Sequence, residues 1–295
     1  MSFRKSLLSA VILVLFVAAE PAPHRADWKE VAEALGRAGA MQPGDVYKVS
    51  FPRGDLSVTA DGVAIKPALA LGSWIAFRQT ANGHAMAMGD LVLLESEINP
   101  VIDVLQAGGI EQSALHNHLI GETPHVMYLH VSGHGDAAKL AATIRAALAV
   151  TKTPTGTPAT PSPSPLDLPA ADLDRLLGYA GKANGGVDQF SIPRAETITE
   201  HGDEVPASMG TATAINVQPT GGGRAAISGD FVMTAAEVNP VIRALRAGGI
   251  KVTAVHSHML DETPRLFFMH FWANDDALKL AATLRSALDR MHVKK

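Results

Sequence analysis

The chain is written twice. His116, His118, Glu122, Thr123, Pro124 and His130 match His256, His258, Glu262, Thr263, Pro264 and His270, each pair 140 positions apart. Gly89-Asp90 and Gly229-Asp230 keep the same spacing, as do Glu97 and Glu237, Asn99-Pro100 and Asn239-Pro240, and the "AGGI" stretches at Ala107 and Ala247. "VSFPR" at Val49 meets "FSIPR" at Phe190 one position further on. A tandem duplication of this kind fixes the architecture twice over, because whatever one copy folds into, the other must fold into as well.

Between the copies, Thr151 to Pro165 reads "TKTPTGTPATPSPSP". Alternating Pro, Thr and Ser cannot build a core and favour an extended chain, so this is the expected interdomain linker. The expected division is a signal peptide over 1–19, a first domain over 25–150, the linker over 151–165 and a second domain over 166–292. Arg4-Lys5, the apolar run Leu7 to Val17 and the small residues Ala18-Ala19 form the signal pattern. The alternative is a retained anchor, for which the run is short of the roughly 20 residues a membrane span needs. No later segment is long and apolar enough to span. A periplasmic or secreted location is expected.

The chain has no cysteine, which excludes disulfides, thiolate metal sites and a lipid anchor on a cysteine. Any metal must therefore be held by His, Asp, Glu, Met or backbone oxygen. With a net charge of −4, no long basic run and few aromatics, nucleic acid is not an expected partner.

The patterning of each half mixes strands and helices without strict alternation. Asp27 to Ala38 has helical spacing and is expected to stop at Gly39. Val46–Phe51, Leu56–Thr59, Ser73–Thr80 and Ala85–Leu94 read as strands, the last two joined by a turn at Asn82-Gly83. Ser96–Gln106 reads as a helix, Glu111–Leu119 and His125–Val131 as strands, and Asp136–Ala149 as an alanine-rich helix. The expected fold class is α+β, with two homologous domains, each an antiparallel or mixed sheet with helices packed on one face.

The stretch from Ala114 to His130, "ALHNHLIGETPHVMYLH", reads as a hairpin turning at Gly121-Glu122-Thr123-Pro124. A turn centred near Thr123 sets His116 opposite His130 and His118 opposite Tyr128. Alternation then places His116, His118, Tyr128 and His130 on one face and Leu115, Leu119, Met127, Leu129 and Val131 on the other. The second copy splits the same way, with His256, His258, Phe268 and His270 opposed to Val255, Met259, Phe267, Met269 and Phe271. The apolar face should pack on helices, and the histidine face should meet a cleft, the other domain or water.

Cross-strand neighbours lie about 5 Å apart, within reach of one ion through nitrogen bonds of about 2.1 Å. The candidate ligands are His116, His118 and His130 with Glu122, and His256, His258 and His270 with Glu262. Each set would hold a divalent transition metal, whether zinc, copper, nickel, manganese or iron. The spacing H-x-H-x-x-x-E resembles the first metal motif of the cupins, although the helices argue against a cupin barrel. Two other readings stay open: a histidine-lined site for a small molecule or for proton transfer, and a hydrogen-bonded structural cluster. A non-catalytic binding module of the cell envelope, its histidines lining a contact surface, is the corresponding functional alternative. No nucleophile or second acid–base partner stands out, so no reaction and no catalytic residue is assigned.

Other repeated polar residues carry plainer expectations. Glu97 and Glu237 should cap helices, and Thr234 with Glu237 fits a capping box. Arg53 and Arg194 are expected in surface ion pairs. His125 is replaced by Arg265 in the second copy and should be superficial. His24, His84, His134, His201 and His292 have no counterpart. Gly221-Gly222-Gly223 reads as a flexible turn.

Stretches such as "YKVSFPR", "KPALALGSW", "MGDLVLLESEINPV", "ALHNHLIGETPHVMYLH", "GTATAINVQPTGGG" and "MHFWANDDALKLA" resemble the bacterial LppY/LpqO family, a domain of unknown function named for mycobacterial lipoproteins. The resemblance covers both halves and implies an exported bacterial protein. It brings no activity, substrate or site residue. The missing lipobox cysteine sets this chain apart from the name-giving members and points to a form without a lipid tether.

Overall fold

The computed structural model describes residues 27–80, 83–156 and 166–295. The signal segment, Asn82 of the expected turn and positions 157–165 of the linker lie outside the described residues.

The first half runs α1 (Trp28–Leu35), β1 (Ala40–Gln42), β2 (Val46–Pro52), β3 (Thr59–Ala60), β4 (Val63–Ala64), α2 (Pro67–Ala70), β5 (Gly72–Gln79), β6 (Ala85–Leu94), α3 (Glu95–Ala107), β7 (Glu111–His116), β8 (Val126–Gly135) and α4 (Ala137–Ala149). The second half repeats it with α5 (Ala170–Leu177), β9 (Lys182–Asn184), β10 (Val187–Pro193), β11 (Thr199–Glu200), β12 (Asp203–Glu204), β13 (Ala212–Gly221), β14 (Arg224–Met233), α6 (Ala235–Ala247), β15 (Lys251–His256), β16 (Phe267–Asp276) and α7 (Ala277–Leu288). A 3-10 turn at Ala207–Met209 stands where the first half has α2. Each half is a six-stranded antiparallel sheet, ordered β1-β2-β5-β6-β8-β7 in one and β9-β10-β13-β14-β16-β15 in the other. The α+β expectation holds.

Helix α1 starts at its Asp27 cap, whose side chain accepts from the Lys29 amide, and ends at Gly36 rather than Gly39. Gly36 adopts φ +70°, the left-handed conformation that terminates a helix and that glycine takes at little steric cost. The expected strand Leu56–Thr59 shrinks to the two-residue β3, paired with β4. Asp136 and Asp276 cap α4 and α7 by accepting from Lys139 and Lys279.

Helices cover one face of each sheet. Val31, Leu35, Val101, Leu105, Leu140, Ile144 and Leu148 pack on Val49, Phe51, Ile75, Phe77, Leu91, Leu93, Leu129 and Val131. The second half builds the same core from Leu173, Leu177, Val241, Leu245, Leu280 and Leu284 on Phe190, Ile192, Ile215, Phe231, Met269 and Phe271. An antiparallel sheet commonly leaves its other face to solvent. Here all but one residue of the central strand β6 are buried, so both faces are covered.

What covers the second face is the other half. Val58, Ile65, Leu69, Leu71, Val92, Val126 and Tyr128 pack with Val187, Ala226 and Trp272. In return, Ile198, Val205, Met209, Val232, Leu266 and Phe268 pack with Val46, Ala76, Met86 and Met88. The molecule is thus four layers deep: helices, sheet, sheet, helices. Polar contacts cross the seam in both directions. Asn216 donates to the Leu69 carbonyl at 2.9 Å, the Gln218 side chain accepts from the Lys66 amide at 2.9 Å, and Arg78 donates to the Glu204 carbonyl at 2.7 Å. The start of the linker also docks: Thr153 is buried, the Lys152 amide donates to Glu97 at 3.2 Å, and the Arg37 guanidinium reaches the Gly156 carbonyl.

Arg53 and Arg194 correct the sequence reading, because they are not surface residues. Arg53 is 0% exposed and donates to Glu97, Asp55 and the Val92 carbonyl. Arg194 repeats this with Glu237, Glu196 and the Val232 carbonyl. The glutamates do cap: Glu97 accepts from the Leu94 amide at 2.9 Å and Glu237 from the Thr234 amide at 2.7 Å. Each therefore ties a helix N-terminus to a buried guanidinium, a pairing that offsets the desolvation of both charges.

Candidate metal centre

The histidine face of each sheet turns toward the other half. His130 sits mid-strand on β8 opposite Asp90 of β6, and His270 sits on β16 opposite Asp230 of β14. The hairpin register differs from the expected one. The loop over 117–125 pairs His116 with Tyr128 and Ala114 with His130, and a bulge between Gln112 and Ala114 shifts the register once more further from the turn; the second copy does the same, with its bulge at Thr253. Strand β7 ends at His116, so His118 lies beyond the ladder and alternation stops there. This is why Leu119 and Met259 fall on the seam side with Tyr128 and Phe268, against expectation. Leu115 and Val255, on edge strands, are 47% and 46% exposed instead of packed on helices.

These six histidines meet in one cluster at the seam, four of them buried and His118 and His256 half-buried. His116 stacks on its own copy, His256, with ring centroids 3.7 Å apart. His118 stacks on His270 and His130 on His258, each at 3.7 Å. These contacts exchange into one another when the halves are swapped, as a local twofold requires. The edge strands hold them in place. The Ser113 hydroxyl donates to the His258 carbonyl, and the matching Thr253 hydroxyl donates to the His118 carbonyl at 2.7 Å. Tyr128 and Phe268 floor the two ends, stacking on His118 at 3.3 Å and on His258 at 3.5 Å.

The donor chemistry follows from the backbone bonds. His270 donates from Nδ1 to the Gly229 carbonyl at 2.8 Å, and His258 donates from Nδ1 to the Gly210 carbonyl at 3.2 Å. His130 bonds the backbone of Gly89. A proton fixed on Nδ1 leaves Nε2 as a lone pair directed into the cluster, the tautomer of a metal ligand. His130 Nε2, His118 Nε2 and His258 Nε2 are buried without hydrogen-bond partners, as are His116 Nδ1, both nitrogens of His256, Asp90 Oδ1 and Asp230 Oδ1. His258 Nε2 lies 3.0 Å from Asp230 Oδ2 and His118 Nε2 3.5 Å from Asp90 Oδ2. Neither contact has the alignment of a hydrogen bond, so they resemble ligands around a shared centre.

Burial and, behind it, repulsion from neighbouring rings keep His116, His118, His130, His256 and His258 neutral. His116, His118 and His256 are held far below the usual histidine range, and His130 and His258 are lowered to about 3. Burial raises the Asp230 carboxyl to about 6. Neutral histidine is the ligating form, so no proton has to be displaced from most of the rings at neutral pH.

The ligand atoms fall into three groups, each within 4.8 Å: Asp230 with His256, His258 and His270; His116 with His118 and His270; and His116 with His130 and His256. The expected triad of the second half is thus together, whereas that of the first half is shared out between groups containing both halves. Among the described residues, Glu122 and Glu262 belong to no such group. Glu122 accepts from the Val126 amide at 3.2 Å and pairs with His125 at 2.7 Å. Glu262 accepts from the Leu266 amide at 2.8 Å and from Arg265 at 3.1 Å. Both brace the hairpin turn, and His125 and Arg265 do the same job. The carboxylates in the cluster are Asp90 and Asp230. The signal that could have found them is a lone repeated acid inside an apolar strand, "AMAMGDLVLL" and "AAISGDFVM".

The model of a domain of unknown function, DUF1259, matches residues 29–150 and again 171–290. The chain belongs to that family and carries two tandem copies of its domain. No curated protein matches the chain. Among solved structures, it is similar to the trimeric bacterial microcompartment shell protein PduB at 16% identity, covering 85% of this chain and 88% of that one, with a TM-score of 0.21. It is also similar to EtuB from Clostridium kluyveri at 10% identity, covering 85% and 90%, with a TM-score of 0.19. Neither superposition carries an argument about fold or function.

Proposed function

We propose that this is an exported bacterial protein of the LppY/LpqO kind that binds a divalent transition metal between its two halves. The observation that carries the reading is the set of buried, unpartnered imidazole and carboxylate lone pairs converging at the seam. A buried polar atom without a partner costs about 1–3 kcal/mol, and eleven such side-chain atoms stand among the described residues, eight of them in this cluster. An ion satisfies several of them at once. His256, His258 and His270 with Asp230 supply four ligands, and His116, His118 and His130 supply the rest. Imidazole-rich sets with one carboxylate suit zinc, copper, nickel or iron, and manganese less well. The groups that mix both halves make the metal a clamp as well as a cargo. When bound, the ion would supply Lewis acidity or simple sequestration; the chain's own residues hold it, orient its ligands and exclude bulk water.

The contact-surface reading is served less well, because the histidine rings stack on each other across the seam rather than lie open to a large partner. No helix of the described residues is long and apolar enough to cross a membrane. The test is thermal melting of the metal-free chain with each of zinc, copper, nickel, manganese and iron. A ligand at about 100 times its Kd stabilises the folded state by about 2.7 kcal/mol, so at least one ion should raise the midpoint by several degrees. The shift should vanish in the His116→Ala, His256→Ala double variant. Unchanged melting with all five would remove the reading.

A further inference from the structure

We propose that the seam takes two divalent ions at once, with His256 shared between them as a bridging imidazolate. The inference rests on the metal reading above and specifies how many ions there are and which side chain joins them.

The three ligand groups overlap pairwise. The Asp230 group and the His116–His118 group share His270; the Asp230 group and the His116–His130 group share His256; the remaining pair share His116. His270 cannot serve two ions, because its Nδ1 is committed to the Gly229 carbonyl. His116 has a place for its proton, since its Nε2 faces His270 Nε2 at 3.2 Å and can donate to that lone pair. His256 differs from both. Its two nitrogens are buried and neither has a partner. A neutral imidazole always carries one N–H, so whichever tautomer His256 adopts, a donor is stranded inside the protein. A bridge removes that defect, because each nitrogen then gives its lone pair to one ion.

The resulting arrangement uses the ligands economically. One ion takes Asp230, His258 and one nitrogen of His256, while the His270 lone pair keeps accepting from the His116 N–H. The other takes His116, His130 and the second nitrogen of His256. The remaining N–H proton of His256 passes to solvent buffer as the second bond forms; no electron is transferred. His118 and Asp90 are left over as a pair of neighbours 3.5 Å apart, on the side where the buried Lys48 ammonium acts on Asp90. The second half has Gln189 in the place of Lys48, so Asp230 faces no such cation in its own sheet.

Copper(II) titrated into the metal-free full chain tests this, read by elemental analysis after desalting and by electron paramagnetic resonance. The expected result is two ions per chain, with loss of the mononuclear signal as the second ion couples to the first through the ring. His256→Ala should hold at most one ion and show an uncoupled spectrum, whereas His118→Ala should still hold a coupled pair. Saturation at one ion, or two ions with uncoupled spectra, overturns the bridge and leaves the metal reading standing. No bound ion overturns the metal reading itself. The wild-type titration decides the matter even if His256→Ala fails to fold.

Discussion

The two ends of the histidine cluster descend from one sequence and have come to differ. At the Asp230 end, the strand neighbour of the aspartate is Ala214, the floor is Phe268, and His258 Nε2 approaches Asp230 to 3.0 Å. At the Asp90 end, the neighbour is Trp74, the floor is Tyr128, and His118 stands off at 3.5 Å. Lys48 lies over the Trp74 ring at 3.8 Å and donates to the Ser208 carbonyl. Burial lowers its pKa to about 8, opposed by the pull of Asp90. The difference teaches that duplication supplied the histidines and aspartates in symmetric pairs, while a cation and a large ring on one side give the two carboxylates unequal surroundings. Away from the cluster, the Arg–Glu struts are unchanged between copies, so they serve folding in each half alike.

The struts give the strongest test of that equality. Arg53→Ala and Arg194→Ala should each destabilise by about 3–5 kcal/mol in denaturant unfolding, since each leaves a buried glutamate without its partner. A large cost in one half and a small one in the other would break the parallel.

The cluster predicts a pH dependence of the metal-free chain. His130 and His258 have folded values near 3 against an ordinary 6.5, so the unfolded chain binds more protons between those limits. Stability should be full above about pH 6.5 and fall as pH drops toward 3, by up to about 1.4 kcal/mol per pH unit for each histidine. Asp230, raised from 3.8 to about 6, acts with the opposite sign: its contribution is present at low pH and lost as pH rises through 6. The lowered histidines outnumber it, so urea midpoints should decrease from pH 7 to pH 4. A midpoint that rises on acidification would contradict neutral, buried rings.

The unequal carboxylates should separate in metal affinity. Asp230→Asn should weaken zinc binding by about 10–100-fold in competition titrations, and Asp90→Asn by less than about threefold. Equal losses would mean that Lys48 does not set the two ends apart. A smaller effect comes from the floor. Tyr128→Phe copies the second half into the first and removes the hydroxyl bond to the Ala70 carbonyl at 2.8 Å, which should cost about 1 kcal/mol in the same unfolding assay.

Much of this was legible in the chain itself. The repeat gave two α+β units, the period of two gave the histidine face, and the helix signals were right to within a few residues. Three things were not. The loop between His116 and Val126 sets the hairpin register and the bulge at Ser113 shifts it again beyond the histidines, as does the one at Thr253; neither leaves a mark in hydrophobic alternation. The glutamates have the right spacing for ligands, yet the Val126 and Leu266 amides claim them at the turn, a local bond that spacing cannot show. The meeting of the two faces is a tertiary event. Read one copy at a time, each triad belonged to its own half, and Asp90 and Asp230, lying on a different strand from the histidines, stayed out of view. Arginine usually lies at the surface, and Arg53 and Arg194 are buried because two carboxylates converge on each.

The decisive measurement is the metal content of the full chain purified without chelator and then exchanged into each of the five candidate metals. Stoichiometric retention of at least one ion through gel filtration, lost in the His116→Ala, His256→Ala double variant, is the predicted result. A wild-type chain that emerges empty from every exchange would contradict a metal centre at the seam.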